Sequence, residues 1–141
     1  MDTTRPTLPV PLPDYDSQPF WDGCREGKLL VQRCPACDHH RYPPRPMCPQ
    51  CRALGGEWIE ASGRGVVYSW IVAHHPVHPA VVDQVPYNVA IVELAEGPRM
   101  VSNVVDAAPE ELRAGLPVEV IFEPLNDTIT LPKFRKAGPS Y

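Results

Sequence analysis

The 141-residue sequence contains no apolar run near the roughly 18 residues that a membrane-spanning helix requires, so an integral membrane role is not expected. It lacks a basic stretch followed by an apolar one at its start. MDTTRPTLPVPLPDYD marks nothing for secretion, and a cytoplasmic, reducing setting is expected. An excess of positive charge is missing too: the net charge of −4 counts against a polyanion as partner. No nucleophile elbow, phosphate loop, open metal site or closely spaced carboxylate pair is visible, so the isolated chain is not expected to be an enzyme. The composition, 43% apolar and 21% charged, is that of a soluble globular protein. Its length allows one ordinary domain, or a small metal-stapled module beside a modest one.

What the sequence does hold is thiol chemistry. Five cysteines form an odd set, which argues against a fully paired disulfide framework. Four of them fall in CPACDHHRYPPRPMCPQC, where Cys34/Cys37 and Cys48/Cys51 make two C-x-x-C pairs separated by ten residues. Two such turns facing each other place four soft ligands at the corners of a tetrahedron, the arrangement zinc takes in a closed structural site. A site of this kind has no open position for substrate or water, so Zn2+ is read as structural. His39 and His40 are read as loop side chains, and Cys24 is left over. Residues 25–52 carry six bases against two acids, a local +4, whereas residues 57–127 carry three bases against eleven acids, a local −8. Four thiolates and one zinc add −2 within the basic segment. The arginines there either offset that charge or form a phosphate-binding patch.

Residues 1–16, with Pro6, Pro9, Pro11 and Pro13, read as an extended arm. Ser17 is placed to cap a helix from Gln18 to Glu26, with Pro19 in its first turn and Gly27 at its end. Phe20, Trp21 and Cys24 share one face of it, to be covered by the chain's own ribbon or barrel or by another subunit. Leu29 to Arg33 reads as a strand, and Arg41 to Arg45 as a proline-stiffened crossing. From Arg64 to Ala73 apolar residues occupy both alternating sets, which predicts a strand covered on both faces. HHPVHP at 74–79 is read as a loop. Strands are expected at 86–94, 99–105, 117–123 and 128–131, with a helical turn at 109–113 near Asp106 and a basic tail at 132–136. The set suits a mainly β chain: an N-terminal helix at 17–28, a ribbon at 29–55 and a small closed OB-type barrel over 56–141.

FW at 20–21, EGKLLVQRC at 26–34, YPPR at 42–45, CPQC at 48–51, GRGVVYSW at 63–70, PYNVAIVEL at 86–94, GLPVEV at 115–120 and LPKF at 131–134 together carry a resemblance. The sequence is similar, from about Phe20 to Phe134, to the small zinc-ribbon plus OB-fold proteins long known as a domain of unknown function and found beside thiolase-like genes. The resemblance implies a rubredoxin-like zinc ribbon and a C-terminal OB-fold barrel. It also implies a non-catalytic accessory subunit that assembles with a thiolase-like enzyme, a thiolase or retro-aldolase, and helps bind acyl-CoA. A two-fold enzyme dimer flanked by two accessory chains would suit it. Such ribbons commonly have Gly after each C-x-x-C. Asp38 and Arg52 stand there instead, and Arg tolerates a left-handed backbone less well, which puts the second turn at issue.

Coenzyme A brings phosphates that favour cations and an adenine that favours an aromatic shelf. On that chemistry Arg41, Arg45, Lys133, Phe134 and Arg135 are the ligand-binding candidates, and Phe20 and Trp21 the partner contacts. The alternative is a nucleic-acid-binding module, since ribbons and OB barrels both serve that purpose elsewhere.

Overall fold

A computed structural model describes residues 7–138; the first six residues of the expected arm and the last three of the chain lie outside the described residues. One helix and eight strands follow in order: α1 (Gln18–Arg25), β1 (Leu30–Arg33), β2 (His40–Arg41), β3 (Glu57–Glu60), β4 (Arg64–Ala73), β5 (Tyr87–Leu94), β6 (Arg99–Ser102), β7 (Pro117–Pro124) and β8 (Thr130–Lys136). Single 3-10 turns sit at Pro79–Val81 and Pro109–Glu111. Among the described residues no helix is long and apolar enough to cross a membrane.

α1 starts and stops for local reasons. Ser17 occupies the N-cap position without capping through its side chain. It and Asp14 instead close a turn on each other: the Asp14 N–H donates to the Ser17 hydroxyl at 3.0 Å and the Ser17 N–H to the Asp14 carboxylate at 2.8 Å. Gly27, with φ +75, ends the helix in the left-handed region that glycine enters at least cost. The inward face holds Phe20, Gly23 and Cys24, packed between the ribbon and the barrel strands β7 and β8. Phe20 is buried against Trp21, 5.1 Å between ring centroids, and Tyr42. The chain's own core therefore covers the centre of the face that sequence left open to a subunit.

The strands form two antiparallel sheets. β2-β1-β3 is the ribbon sheet, so residues 57–60 pair back onto β1 past the expected break at 55/56. The second sheet has the order β6-β5-β4-β7-β8 and curls into the half-barrel of an OB fold. In β5 the inward set Asn88, Ala90, Val92 and Leu94 alternates with a half-exposed outward set. β4 departs from the expected double coverage. The register shifts between Val67 and Ser69, Val67 alone is fully buried, and Val66, Tyr68 and Ile71 are exposed.

β8 corrects the expected basic tail. Thr130 to Lys136 pairs along its whole length with β7, and Phe134 is fully buried opposite Val120. Period two hides here because Pro132, Lys133 and Arg135 read as polar punctuation, while the pairing that fixes them is cross-strand. β6 stops at Ser102 because the next residues turn to meet β8. The Phe134 N–H donates to the Asn103 carbonyl at 2.9 Å, and the Val105 N–H to the Phe134 carbonyl at 2.8 Å. Asp106 caps nothing; it accepts the Lys136 N–H at 2.8 Å.

Asn88 pins this closure. Its side-chain amide donates to the Val104 carbonyl and accepts the Val104 N–H, both at 2.8 Å, in the manner of a strand neighbour. Both residues are buried, so no water replaces the lost partners. Asn88→Ala is expected to cost about 2–4 kcal/mol by orphaning two buried backbone groups. Urea unfolding of the zinc-loaded protein checks this, and a change below about 0.5 kcal/mol would contradict the pin.

Candidate metal centre

The two C-x-x-C segments fold into two equivalent turns. In the first, the Asp38 N–H donates to the Cys34 carbonyl and the Cys34 N–H to the His39 carbonyl, each at 2.9 Å. In the second, the Arg52 N–H donates to the Cys48 carbonyl and the Cys48 N–H to the Ala53 carbonyl, again at 2.9 Å. The residue after each pair is left-handed, Asp38 at φ 62 and Arg52 at φ 66. The second turn, at issue from its sequence, keeps the same geometry as the first with a side chain that favours it least. Asp38 is partly compensated by the Arg33 guanidinium, 3.4 Å away, which also faces Glu57 at 3.3 Å.

These turns bring the four sulfur atoms within 4.8 Å of one another, with Cys34 to Cys51 and Cys37 to Cys48 at 3.6 Å. A tetrahedron with Zn–S bonds of about 2.3 Å has edges of about 3.8 Å, so the donor set fits Zn2+ without rearrangement. Cys34 and Cys48 are buried and Cys37 and Cys51 exposed. Desolvation works against the Cys48 thiolate, but the backbone N–H groups of Cys51 and Gln50 and the neighbouring cysteines outweigh it and bring this thiol down to about 6. Cys24 is outside the cluster. Burial pushes its thiol up to about 12, which makes it a packing residue.

The other sequence candidates divide. Arg41 is only 3% exposed, and its guanidinium bonds to Gln32 and to the carbonyls of Arg45 and Gly55, so it is a pin inside the ribbon in place of a surface phosphate ligand. Phe134 and Phe20 are core residues, at 0% and 1% exposure, and offer neither an adenine shelf nor a partner contact. Trp21 stays half-buried. Arg135 pairs with Glu119 at 2.8 Å across β7 and β8, and Lys133 lies 3.5 Å from Glu123. Lys133 lines a groove of about 510 Å³ with Leu8, Asn103 and Leu131. Arg45 is exposed at the rim of a different groove, of about 880 Å³, with Tyr15, Leu54 and Trp58. Arg41 and Arg45 also line a third groove, of about 530 Å³, but none of these grooves gathers all five candidates. His78 belongs to its loop, its Nδ1 accepting the Ala80 N–H at 3.0 Å.

Sequence reasoning missed the outer face of β4, β5 and β6. Tyr68, Ile71 and Val101 are 49%, 63% and 64% exposed there, beside the half-exposed Val89 and Ile91. The signal is present in the double apolar periodicity of 64–73, which predicts cover on both faces without saying what supplies it. Its rim carries Arg99, which bonds Glu93 at 2.9 Å and lies over the Tyr68 ring.

Two outcomes follow for the centre. Cys48→Ser is expected to abolish stoichiometric zinc and unfold the ribbon, losing part of the apparent 10–16 kcal/mol or so that such a site contributes near neutral pH. Zinc analysis and near-ultraviolet circular dichroism read this. Arg52→Gly relieves a left-handed backbone and is expected to add about 1 kcal/mol to stability, with a smaller gain for Asp38→Gly because it loses the contact with Arg33. Denaturant midpoints of the zinc-loaded variants rank them.

Residues 21–55 match the family described as ChsH2, rubredoxin-like zinc ribbon domain, and residues 58–123 match ChsH2, C-terminal OB-fold domain. A probable enoyl-CoA hydratase alpha subunit from Thermomonospora curvata is 44% identical over 93% of this chain, which spans only 40% of that protein's length. A DUF35 domain-containing scaffold protein from Methanocaldococcus jannaschii is 37% identical over 76% of this chain and 77% of its own length. Among solved structures, a chain of the Ltp2-ChsH2(DUF35) aldolase superposes with a TM-score of 0.81 at 42% identity, covering 90% of this chain and 98% of that one. A closed four-thiolate ribbon joined to a curled OB sheet, matched over nearly its whole length by such relatives, places this chain in the DUF35 family of zinc-ribbon and OB-fold proteins, to which the corresponding domains of ChsH2 also belong.

Proposed function

We propose that the chain is a non-catalytic accessory subunit that assembles with a thiolase-like enzyme, a thiolase or retro-aldolase, and helps bind acyl-CoA while a carbon–carbon bond is broken or formed. The observation that carries this reading is the likeness, along almost all of its length, to the chain in the Ltp2-ChsH2(DUF35) aldolase. The scaffold name of the archaeal relative agrees with an assembling role, and the hydratase name of the Thermomonospora relative with CoA thioesters. The chemistry agrees as well. Four cysteines leave the ion they would hold no open coordination position. On this reading the bond-making groups belong to the partner, and this chain supplies surface and charge.

Two surfaces fit those tasks. The apolar outer face of β4, β5 and β6 is of the kind that protein interfaces cover. Arg45 and Lys133 line separate grooves and are the candidates placed to meet phosphate oxygens, Lys133 by exchanging Glu123 for them, so that a coenzyme held by one of them needs the partner to complete its site. The nucleic-acid alternative loses ground, because Lys133, Arg135 and Lys136 face Glu123, Glu119 and Glu111 and leave no free basic track on β8.

Co-expression with thiolase-like enzymes from the source genome tests this. The two chains are expected to elute together and to turn over an acyl-CoA substrate only in combination. The double variant Ile71→Glu, Val101→Glu is expected to abolish co-elution while leaving zinc content and melting temperature unchanged. An enzyme that is fully active alone and never co-elutes with this chain would overturn the proposal.

A further inference from the structure

We propose that Arg41 is the positioning residue of the zinc centre, a buried fork that sets the distance between the two cysteine turns. The ribbon brings the turns together on thin supports. β1 ends at Arg33, immediately before Cys34, and β2 begins at His40, soon after Cys37. The second turn hangs on a loop whose base is closed by the Gly55 N–H donating to the Pro46 carbonyl at 2.9 Å, with one further isolated bridge between Met47 and Leu54. Neither set of backbone bonds ties one turn to the other, and the β1–β3 ladder, which ends with Arg33 opposite Glu57, holds only the outgoing leg of the second loop beyond Gly55.

Arg41 and Gln32 make that tie. From β2, Arg41 donates through Nε to the Gln32 side-chain oxygen on β1 at 2.9 Å. Through Nη2 it donates to the carbonyls of Arg45 and Gly55, both at 2.8 Å, which lie on the two legs of the second loop. Gln32 adds a bond of its own, accepting the Arg45 N–H at 2.9 Å. The strands flanking Cys34 and Cys37 are thereby joined to both legs of the loop bearing Cys48 and Cys51. Gly56 is part of the fit, since a Cβ there would stand 2.7 Å from Nη2.

Arg41 is 3% exposed, and a buried guanidinium is costly to desolvate and is retained where its charge and planar geometry are both used. The filled centre carries −2, and a fixed positive charge within the same small ribbon offsets it. Nη1 is buried without a partner, so the residue is not a donor waiting at the surface for a ligand. Lysine supplies the charge but not the fork, which separates the two contributions. Groups that orient metal ligands typically change metal affinity about 10–100-fold when altered.

The test is zinc release from the full chain to a chromophoric chelator, together with the visible spectrum of the Co2+-substituted protein. Arg41→Lys is expected to release zinc about tenfold faster and to alter the Co2+ ligand-field bands, with the barrel's unfolding transition unchanged. Asn88→Ala, which weakens the barrel remote from the centre, serves as the comparison and is expected to release zinc more slowly than Arg41→Lys. If Arg41→Lys does not fold, Gln32→Met reads the same tie by removing one acceptor, with an expected acceleration of about threefold. Release at the wild-type rate with an unchanged Co2+ spectrum, or release from Asn88→Ala as fast as from Arg41→Lys, would overturn the assignment.

Discussion

Four sulfur atoms have to stand about 3.8 Å apart for one zinc ion to hold them, and the N-terminal half of this molecule is arranged to meet that requirement. The ribbon sheet has only three short strands, too little apolar surface to be stable alone. Metal–thiolate bonds replace the missing core. Once the two turns are joined, β1 and β3 are fixed, α1 has a floor against β1, and Phe20 reaches the ring of Tyr42 from the crossing. Because α1 also rests on β7 and β8, the metal indirectly fixes the angle between ribbon and barrel.

The barrel meets a different constraint, the disposal of its edges. Its five strands curl until the chain beyond β6 touches β8 at a single parallel bridge between Val104 and Phe134. One bridge leaves most of that seam unsatisfied, and the buried amide of Asn88 supplies two of the missing bonds. Asn88 in the barrel and Arg41 in the ribbon thus play parallel parts: each is a buried polar side chain that substitutes for backbone pairing where two pieces of chain meet.

The fold was legible where its causes are local. Cysteine spacing disclosed the ribbon, alternation disclosed β4, β5 and β7, and Gly27 marked the end of α1. Asp38 and Arg52 show the limit of that reading. Asp tolerates a left-handed backbone better than Arg does, which put only the second turn at issue, and both turns adopt it because the sulfur positions and the carbonyls of Cys34 and Cys48 require it. What stayed hidden depends on partners distant in sequence. Phe134 looks like part of a basic tail until β7 is laid beside it, and Arg41 looks like a surface cation until Gly55 is brought to its fork. The second apolar set of β4 was visible but not its meaning, since alternation does not distinguish a neighbour within the chain from one outside it.

The described residues form a four-thiolate ribbon joined to a curled sheet, with an exposed apolar face on β4, β5 and β6 and with Arg45 and Lys133 in separate grooves. That combination suits a subunit whose use lies in how it holds a surface toward a partner. The most direct measurement is to strip zinc from the chain with a chelator and add it back in steps while following association with the proposed thiolase-like partner. Association is predicted to disappear with the metal and to return in full at one zinc per chain. Equal association with and without zinc would contradict the account.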